Sequence, residues 1–125
     1  MKKTRNTSQR LKILEYLKSV RTHPNAEEVY NAVAKELPAI TLATVYRNLN
    51  LLAEHGKILR LKINNEYRYD ADISFHQHCV CKKCGRLTDL FKKKISEYAL
   101  SKFNFKGFKP ESVNIIFNGI CNKCG

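Results

Sequence analysis

The chain has 125 residues, enough for one ordinary domain or two small ones, and 43% of them are apolar, a fraction that argues for a folded protein. Lys and Arg outnumber Asp and Glu by 23 to 11, a formal charge of +12, which points to a polyanionic partner with nucleic acid foremost. No apolar run approaches the roughly 20 residues of a membrane span. Met1–Asn6 is basic without an apolar core, so no secretory leader is read there and a cytoplasmic location is expected, where cysteines serve as metal ligands rather than disulfides.

The charge is evenly spread. Up to Asp70 there are 13 basic and 7 acidic residues, and beyond it 10 and 4, so each part carries +6 and charge alone marks no DNA-facing surface. A solvated basic surface would give the same count. In chain order, Thr7 or Ser8 can cap a first helix running to about Val20, with Leu11, Leu14 and Leu17 on one face. His23-Pro24 breaks it. Asn25 starts a second helix, with Glu28 placed to close a capping box. Val29, Ala32, Val33 and Leu37 form its stripe and Pro38 ends it. Thr41 caps a third helix from Leu42 to His55, with Val45, Leu49 and Leu52 spaced for burial and Gly56 as its stop.

The apolar period then falls from 3.6 to 2. Leu59, Leu61 and Ile63 alternate with Arg60 and Lys62, and Tyr67 and Tyr69 alternate with Arg68 and Asp70. A two-residue loop would pair Ile63 with Glu66 and divide the tyrosines from the leucines. A three-residue loop, Asn64 to Glu66, gathers all the apolar side chains on one face and is the expected connection. Three helices followed by a hairpin form a winged-helix pattern, in which the second helix of the helix-turn-helix enters the major groove. Here that helix is Leu42–His55, and its early exposed residues Thr44, Tyr46, Arg47 and Asn50 are candidates for DNA contact. Arg can bind guanine bidentately, and Tyr can pack on a thymine methyl or bind phosphate. A three-helix core that binds protein is the alternative.

The remaining residues carry metal chemistry. Cys81-x-x-Cys84 and Cys121-x-x-Cys124 form two knuckles, followed by Gly85 and Gly125, and four thiolates suit a closed, tetrahedral, structural zinc site. Two redox disulfide pairs are the competing reading. Cys79 is out of step with the knuckles and reads as a half-buried thiol on a strand. His76-x-His78 on a strand aims two imidazoles the same way. Asp89, on a strand returning from the knuckle, can face the same spot. Asp70 and His23 lie upstream. Taken singly, His23 also reads as a turn histidine, and Asp70 and Asp89 as solvated charges. A helix from the Lys92-Lys93-Lys94 segment to about Phe103 follows, then a turn at Gly107 to Pro110 and a last strand with Val113, Ile115 and Phe117 alternating. This β-β-α-β half is short, and its exposed strand edges favour pairing across a dimer.

These residues resemble the ferric uptake regulator (Fur) family over nearly the whole chain. The matching pieces are Thr7-Ser8-Gln9-Arg10, His23-Pro24-x-Ala26, Ala43-Thr44-Val45-Tyr46-Arg47-x-Leu49, His76-x-His78-x-x-Cys81-x-x-Cys84-Gly85 and Cys121-x-x-Cys124. The resemblance implies an α+β homodimer that binds a double-stranded DNA operator as a repressor, with a winged-helix domain over residues 1–72 and a zinc-stapled dimerisation and metal-sensing domain over 73–125. It implies base contacts from Tyr46 and Arg47 and a phosphate contact from Arg10. It also implies a regulatory site of His23, Asp70, His76, His78 and Asp89, one iron or manganese ion per subunit beside one zinc. Gln77 and Ile120 stand where a further family site has an acid and a histidine, so that site is not expected. Asp89 resembles the peroxide-responsive branch, in which peroxide oxidises a ligand histidine, here His23 or His76. Relatives usually carry a further helical segment before Thr7, and its shortening here is expected to alter DNA contacts.

Three rival readings fit parts of the pattern. One is a metal-uptake repressor of the same family without peroxide chemistry. Another is a zinc-ribbon module for protein or RNA. The third is a zinc deaminase, which needs H-x-E and P-C-x-x-C. His76-Gln77-His78 lacks that Glu and no Pro precedes either knuckle, so no enzyme and no small organic substrate are expected.

Overall fold

A computed structural model of the protein describes residues 5–125, with 5 and 6 by backbone alone; Met1 to Thr4 of the basic N-terminal segment lie outside them. The fold is α+β. The chain divides into two compact units, the first ending at Ile73 and the second beginning at Ser74.

The first unit holds α1 (Arg5–Ser19), α2 (Ala26–Val33), α3 (Leu42–Glu54), β1 (Leu59–Ile63) and β2 (Glu66–Asp70). α1 begins at Arg5, ahead of the cap expected at Thr7 or Ser8, because neither Pro nor Gly stands between Arg5 and Ser8 to stop it. Asn25 caps α2 in a complete capping box: its side chain accepts from the Glu28 N–H at 2.8 Å, and the Glu28 carboxylate accepts from the Asn25 N–H at 3.2 Å. α2 ends at Val33, a turn earlier than the stripe suggested. The next turn is closed by the Glu36 and Leu37 N–H groups on Val33 O, at 3.1 and 2.9 Å, and Leu37 still packs against the core. Thr41 caps α3 through the Thr44 N–H at 3.2 Å.

Gly56 ends α3 with φ of 69°. Its N–H reaches Ala53 O at 3.1 Å, and Lys57 N–H reaches Leu52 O at 2.9 Å, a Schellman closure that needs a left-handed residue. The apolar faces of the helices meet in one cluster that includes Ile13, Leu17, Val29, Val45, Leu49 and Leu52, closed by Ile58 and Tyr69.

The hairpin corrects the expected register. Its loop has two residues, and Ile63 faces Glu66, Leu61 faces Arg68 and Arg60 faces Tyr69. Asn64 and Asn65 both take positive φ, 53° and 63°, the backbone of a type I′ turn that matches strand twist. Asn tolerates this region better than other non-glycine residues. The expected loop rested on a single apolar face, but buried apolar side chains lie on both faces. Tyr69 packs into the helical core, while Leu61 and Ile63 are buried on the opposite side.

The second unit holds β3 (Gln77–Cys81), β4 (Leu87–Leu90), α4 (Lys93–Lys102) and β5 (Ile116–Gly119). The sheet order is β4-β3-β5, antiparallel between β3 and β4 and parallel between β3 and β5. β5 starts at Ile116, later than the Val113 to Phe117 alternation implied. Gln77 is fully buried and ties β3 to the start of α4: its Oε1 accepts the Lys92 N–H at 3.2 Å, and its Nε2 donates to Lys92 O at 3.0 Å and Ser96 Oγ at 2.8 Å. This amide replaces the side-chain cap that Lys92 cannot provide.

Nothing lies within 4 Å of a Cβ built on Gly56, so Gly56→Ala tests backbone conformation without a clash. It is expected to destabilise the protein by about 1–2 kcal/mol, while Asn65→Gly leaves stability equal or raised. Thermal or urea unfolding checks both signs.

Candidate metal centres

Cys81 ends β3, Cys84 lies in the turn after it, and Cys121 and Cys124 follow β5. The parallel β3–β5 pairing brings the two knuckles together, with Cys81 opposite Gly119 and the Lys82 N–H on Gly119 O at 2.8 Å. All four sulfurs lie within 4.8 Å of one another, and Cys84 Sγ is 3.8 Å from Cys121 Sγ. A tetrahedron with zinc–sulfur bonds of about 2.3 Å has edges of about 3.8 Å, so the set fits that ion. Gly85, with φ of 76°, returns its N–H to Cys81 O at 2.9 Å, and the Gly125 N–H reaches Cys121 O at 3.0 Å.

Backbone N–H groups of Cys121 and Cys84 point at Cys81 Sγ, at 3.4 and 3.5 Å. They hold its thiol down to about 5, with the Cys121 N–H the larger cause. Cys121, hydrogen-bonded to Cys124, is also lowered. Cys124 is pushed up to about 12, chiefly by its neighbour Cys121. Cys79 is half-buried mid-strand, opposite Thr88 and Phe117, apart from the cluster.

In the second unit, His78 stands directly across from Asp89 on the β3–β4 ladder, so both point to one face. His78 Nε2 is 3.2 Å from Asp89 Oδ1, and His76 Nε2 is 3.5 Å from the same oxygen. His76 Nδ1 lies 2.7 Å from Ser74 O. A carbonyl only accepts, so Nδ1 carries the proton and Nε2 offers its lone pair, the arrangement typical of metal-binding histidines. Phe91 stacks on the His76 ring at 4.9 Å. Both imidazoles are almost wholly buried.

In the first unit, His23 Nε2 lies 3.3 Å from Asp70 Oδ2. His23 has φ of 53°, a left-handed backbone uncommon for a non-glycine residue, immediately before a proline. The hairpin holds it there. The Arg68 guanidinium donates through Nε to His23 O and through Nη2 to Thr22 O at 3.2 Å, and the Tyr69 N–H donates to Pro24 O at 3.0 Å. Sequence reasoning gave Arg68 only as a polar strand residue; no local pattern announces a bond across 45 positions.

Of the residues expected at DNA, Tyr46 and Arg47 are exposed on α3 and Thr44 is half-buried at its cap. Arg10 and Asn50 are engaged within the protein: Arg10 Nε donates to Asn48 Oδ1 at 3.2 Å, and Asn50 Oδ1 accepts from Arg60 at 3.0 Å.

A four-thiolate cluster and two imidazole–carboxylate sets on an α+β chain define a metal-binding protein. The model of the ferric uptake regulator family matches residues 1–118, and the chain belongs to that family. It is 33% identical over 121 residues to the peroxide operon regulator of Bacillus subtilis, covering 96% of this chain and 83% of that protein. The crystal structure of the Campylobacter jejuni peroxide stress regulator superposes with a TM-score of 0.78 at 37% identity, over 95% of this chain and 90% of that one. The manganese-containing ferric uptake regulator of Pseudomonas aeruginosa gives 0.74 at 28% identity, over 92% and 88%.

Replacing Arg68 with Met removes the clamp on His23 while keeping its bulk. Manganese(II) affinity is expected to fall about 10-fold or more, as for partners that orient ligands, with far-UV circular dichroism unchanged. Calorimetric titration reads it.

Proposed function

We propose that this chain is a cytoplasmic, homodimeric, metal-dependent DNA-binding repressor that senses peroxide. Residues 1–72 form a winged-helix domain with α3 as the recognition helix, and residues 73–125 a dimerisation and sensing domain stapled by zinc on Cys81, Cys84, Cys121 and Cys124. DNA contacts fall to Tyr46, Arg47, Thr44 and Arg10. No helix among the described residues is long and apolar enough to cross a membrane.

The observation that carries the reading is the division of the His/Asp ligands. His23 with Asp70 in one unit offers two donors, and His76, His78 and Asp89 in the other offer three. Neither set alone completes the coordination of a transition metal. Together they give three imidazoles and two carboxylates, a mixed set that suits iron(II) or manganese(II). One ion shared by both sets ties the DNA-binding unit to the dimerisation unit and fixes the spacing of two recognition helices, which must match half-sites about one helical turn or a multiple apart. Couplings of this kind are about 1–3 kcal/mol, and a near-complete switch needs roughly 5.5 kcal/mol. Held by His23, Asp70, His76, His78 and Asp89, iron(II) would supply the redox chemistry for peroxide to oxidise His23 or His76. The Ser74 carbonyl orients the His76 imidazole, and Arg68 fixes the backbone of His23. The names of the Bacillus and Campylobacter relatives, both peroxide regulators, support the same branch.

Titrating zinc-loaded protein against duplex DNA, with and without manganese(II), tests the reading. Metal is expected to tighten binding about 10-fold or more, and metal-independent binding would overturn it. After peroxide, mass spectrometry of the iron form is expected to show added oxygen on His23 or His76. An unmodified pair would leave the metal-uptake repressor. The cluster itself adds a pH dependence. Zinc takes thiolates; Cys81 is ionised above about 5, but Cys124, raised to about 12, must lose its proton on binding. Zinc affinity measured against a competing chelator should therefore rise with pH across the neutral range.

A further inference from the structure

Arg60 is the second residue of β1, opposite Tyr69, with an exposed side chain. Its Nη1 donates to Asn50 Oδ1 on α3 at 3.0 Å, and its Cζ sits 4.7 Å from the centre of the Tyr67 ring. Nη1 is the nitrogen on the Cδ side of the guanidinium. These two contacts therefore leave the opposite edge, with the parallel N–H groups of Nε and Nη2, for another acceptor. That fork is the bidentate donor that phosphate oxygens and the guanine edge accept.

Arg60 forms no ion pair among the described residues. Lys12, by contrast, is neutralised by Glu36 at 3.2 Å and Glu15 at 3.7 Å. A guanidinium held at two points without a carboxylate has already lost much of the side-chain freedom that binding would otherwise cost. Its neighbourhood belongs to the recognition surface. Tyr67, which carries Arg60, shares a cleft of about 240 Å³ with Tyr46 of α3, Asn25 and Asn65. Glu27 and Glu66 also line that cleft, and Glu66 is engaged by Asn25 Nδ2. Asn50 is changed by the same contact. Reading adenine bidentately needs both its oxygen and its amide nitrogen, and the oxygen is committed to Arg60.

Resting on the DNA-binding reading above, we propose that Arg60 is a DNA contact whose Nε–Nη2 edge binds a backbone phosphate beside the groove that α3 enters, with Asn50 and Tyr67 as its positioning residues. The partner is phosphate because Asn50 lies in the third turn of α3, whereas the N-terminal residues of a recognition helix are those that meet base edges. Arg60 thereby joins the hairpin and the helix into one DNA-binding surface.

The test measures affinity of the zinc- and manganese-loaded protein for a random-sequence duplex pool and for the tightest duplex selected from that pool, across a salt series. Arg60→Gln is expected to lower affinity roughly 10-fold on both probes and to reduce the slope of log affinity against log salt by about one. Arg60→Lys should keep the slope but lose affinity, since it retains charge without the fork. Asn50→Ala should weaken binding less than Arg60→Gln and leave the slope intact. Because Arg60 is exposed, thermal unfolding of these variants should match the wild type. An unchanged slope and affinity in Arg60→Gln would overturn the proposal, as would a loss confined to the selected duplex, which would mean base reading. Failure of the wild-type protein to bind either probe would instead overturn the DNA-binding reading.

Discussion

Four sulfurs gathered at the end of β3 hold together a unit with almost no apolar interior. Among the described residues from Ser74 onward, only Val80 and Cys81 are buried apolar side chains, whereas the first unit closes around Ile13, Leu17, Val29, Val45, Leu49 and Tyr69. A sheet of three short strands cannot offset its conformational entropy on that basis. A structural zinc site contributes on the order of 10 kcal/mol in small domains, enough to decide whether β3 and β5 stay paired. His78 lies on β3 and His76 immediately precedes it, so the staple also fixes the strand that presents them. Gln77, between them, carries the same rigidity to α4.

The first unit reaches an equivalent result by other means. Its core positions α3 and the hairpin. The hairpin in turn forces His23 into a left-handed backbone through Arg68 and Tyr69, against a strain of about 1–3 kcal/mol for such a conformation. A turn histidine thereby becomes a fixed donor facing Asp70. Each unit thus holds an imidazole–carboxylate set in place, and under the proposed shared site that placement limits the ordering that metal binding must bear.

What the sequence made legible was local chemistry. Asn25 and Glu28 announced a capping box, Thr41 a cap and Gly56 a stop, because each signal lies within one turn of the element it bounds. The two knuckles were equally readable, and so was the convergence of His76 and His78 on Asp89, although β3 starts at Gln77 and leaves His76 just before the strand. The hairpin register was not, because the alternation of Leu61, Ile63 and Tyr69 does not say that buried residues fall on both faces. Asn64-Asn65 was the better guide, as two residues that both tolerate positive φ. Long-range partnerships escaped entirely: Arg68 on His23, Arg60 on Asn50 and Gln77 on Lys92 depend on tertiary placement, and nothing in the spacing of the chain encodes them.

The account stands on one ion drawing donors from both units. Pulsed electron paramagnetic resonance of the manganese(II)-loaded protein, with its histidine nitrogens isotopically labelled, counts the imidazoles on the metal. The account predicts three in the native protein and two after His23→Ala, with the His76 and His78 couplings retained. Two imidazoles in both proteins would contradict it, leaving the metal in the second unit alone and the DNA-binding unit without a tether.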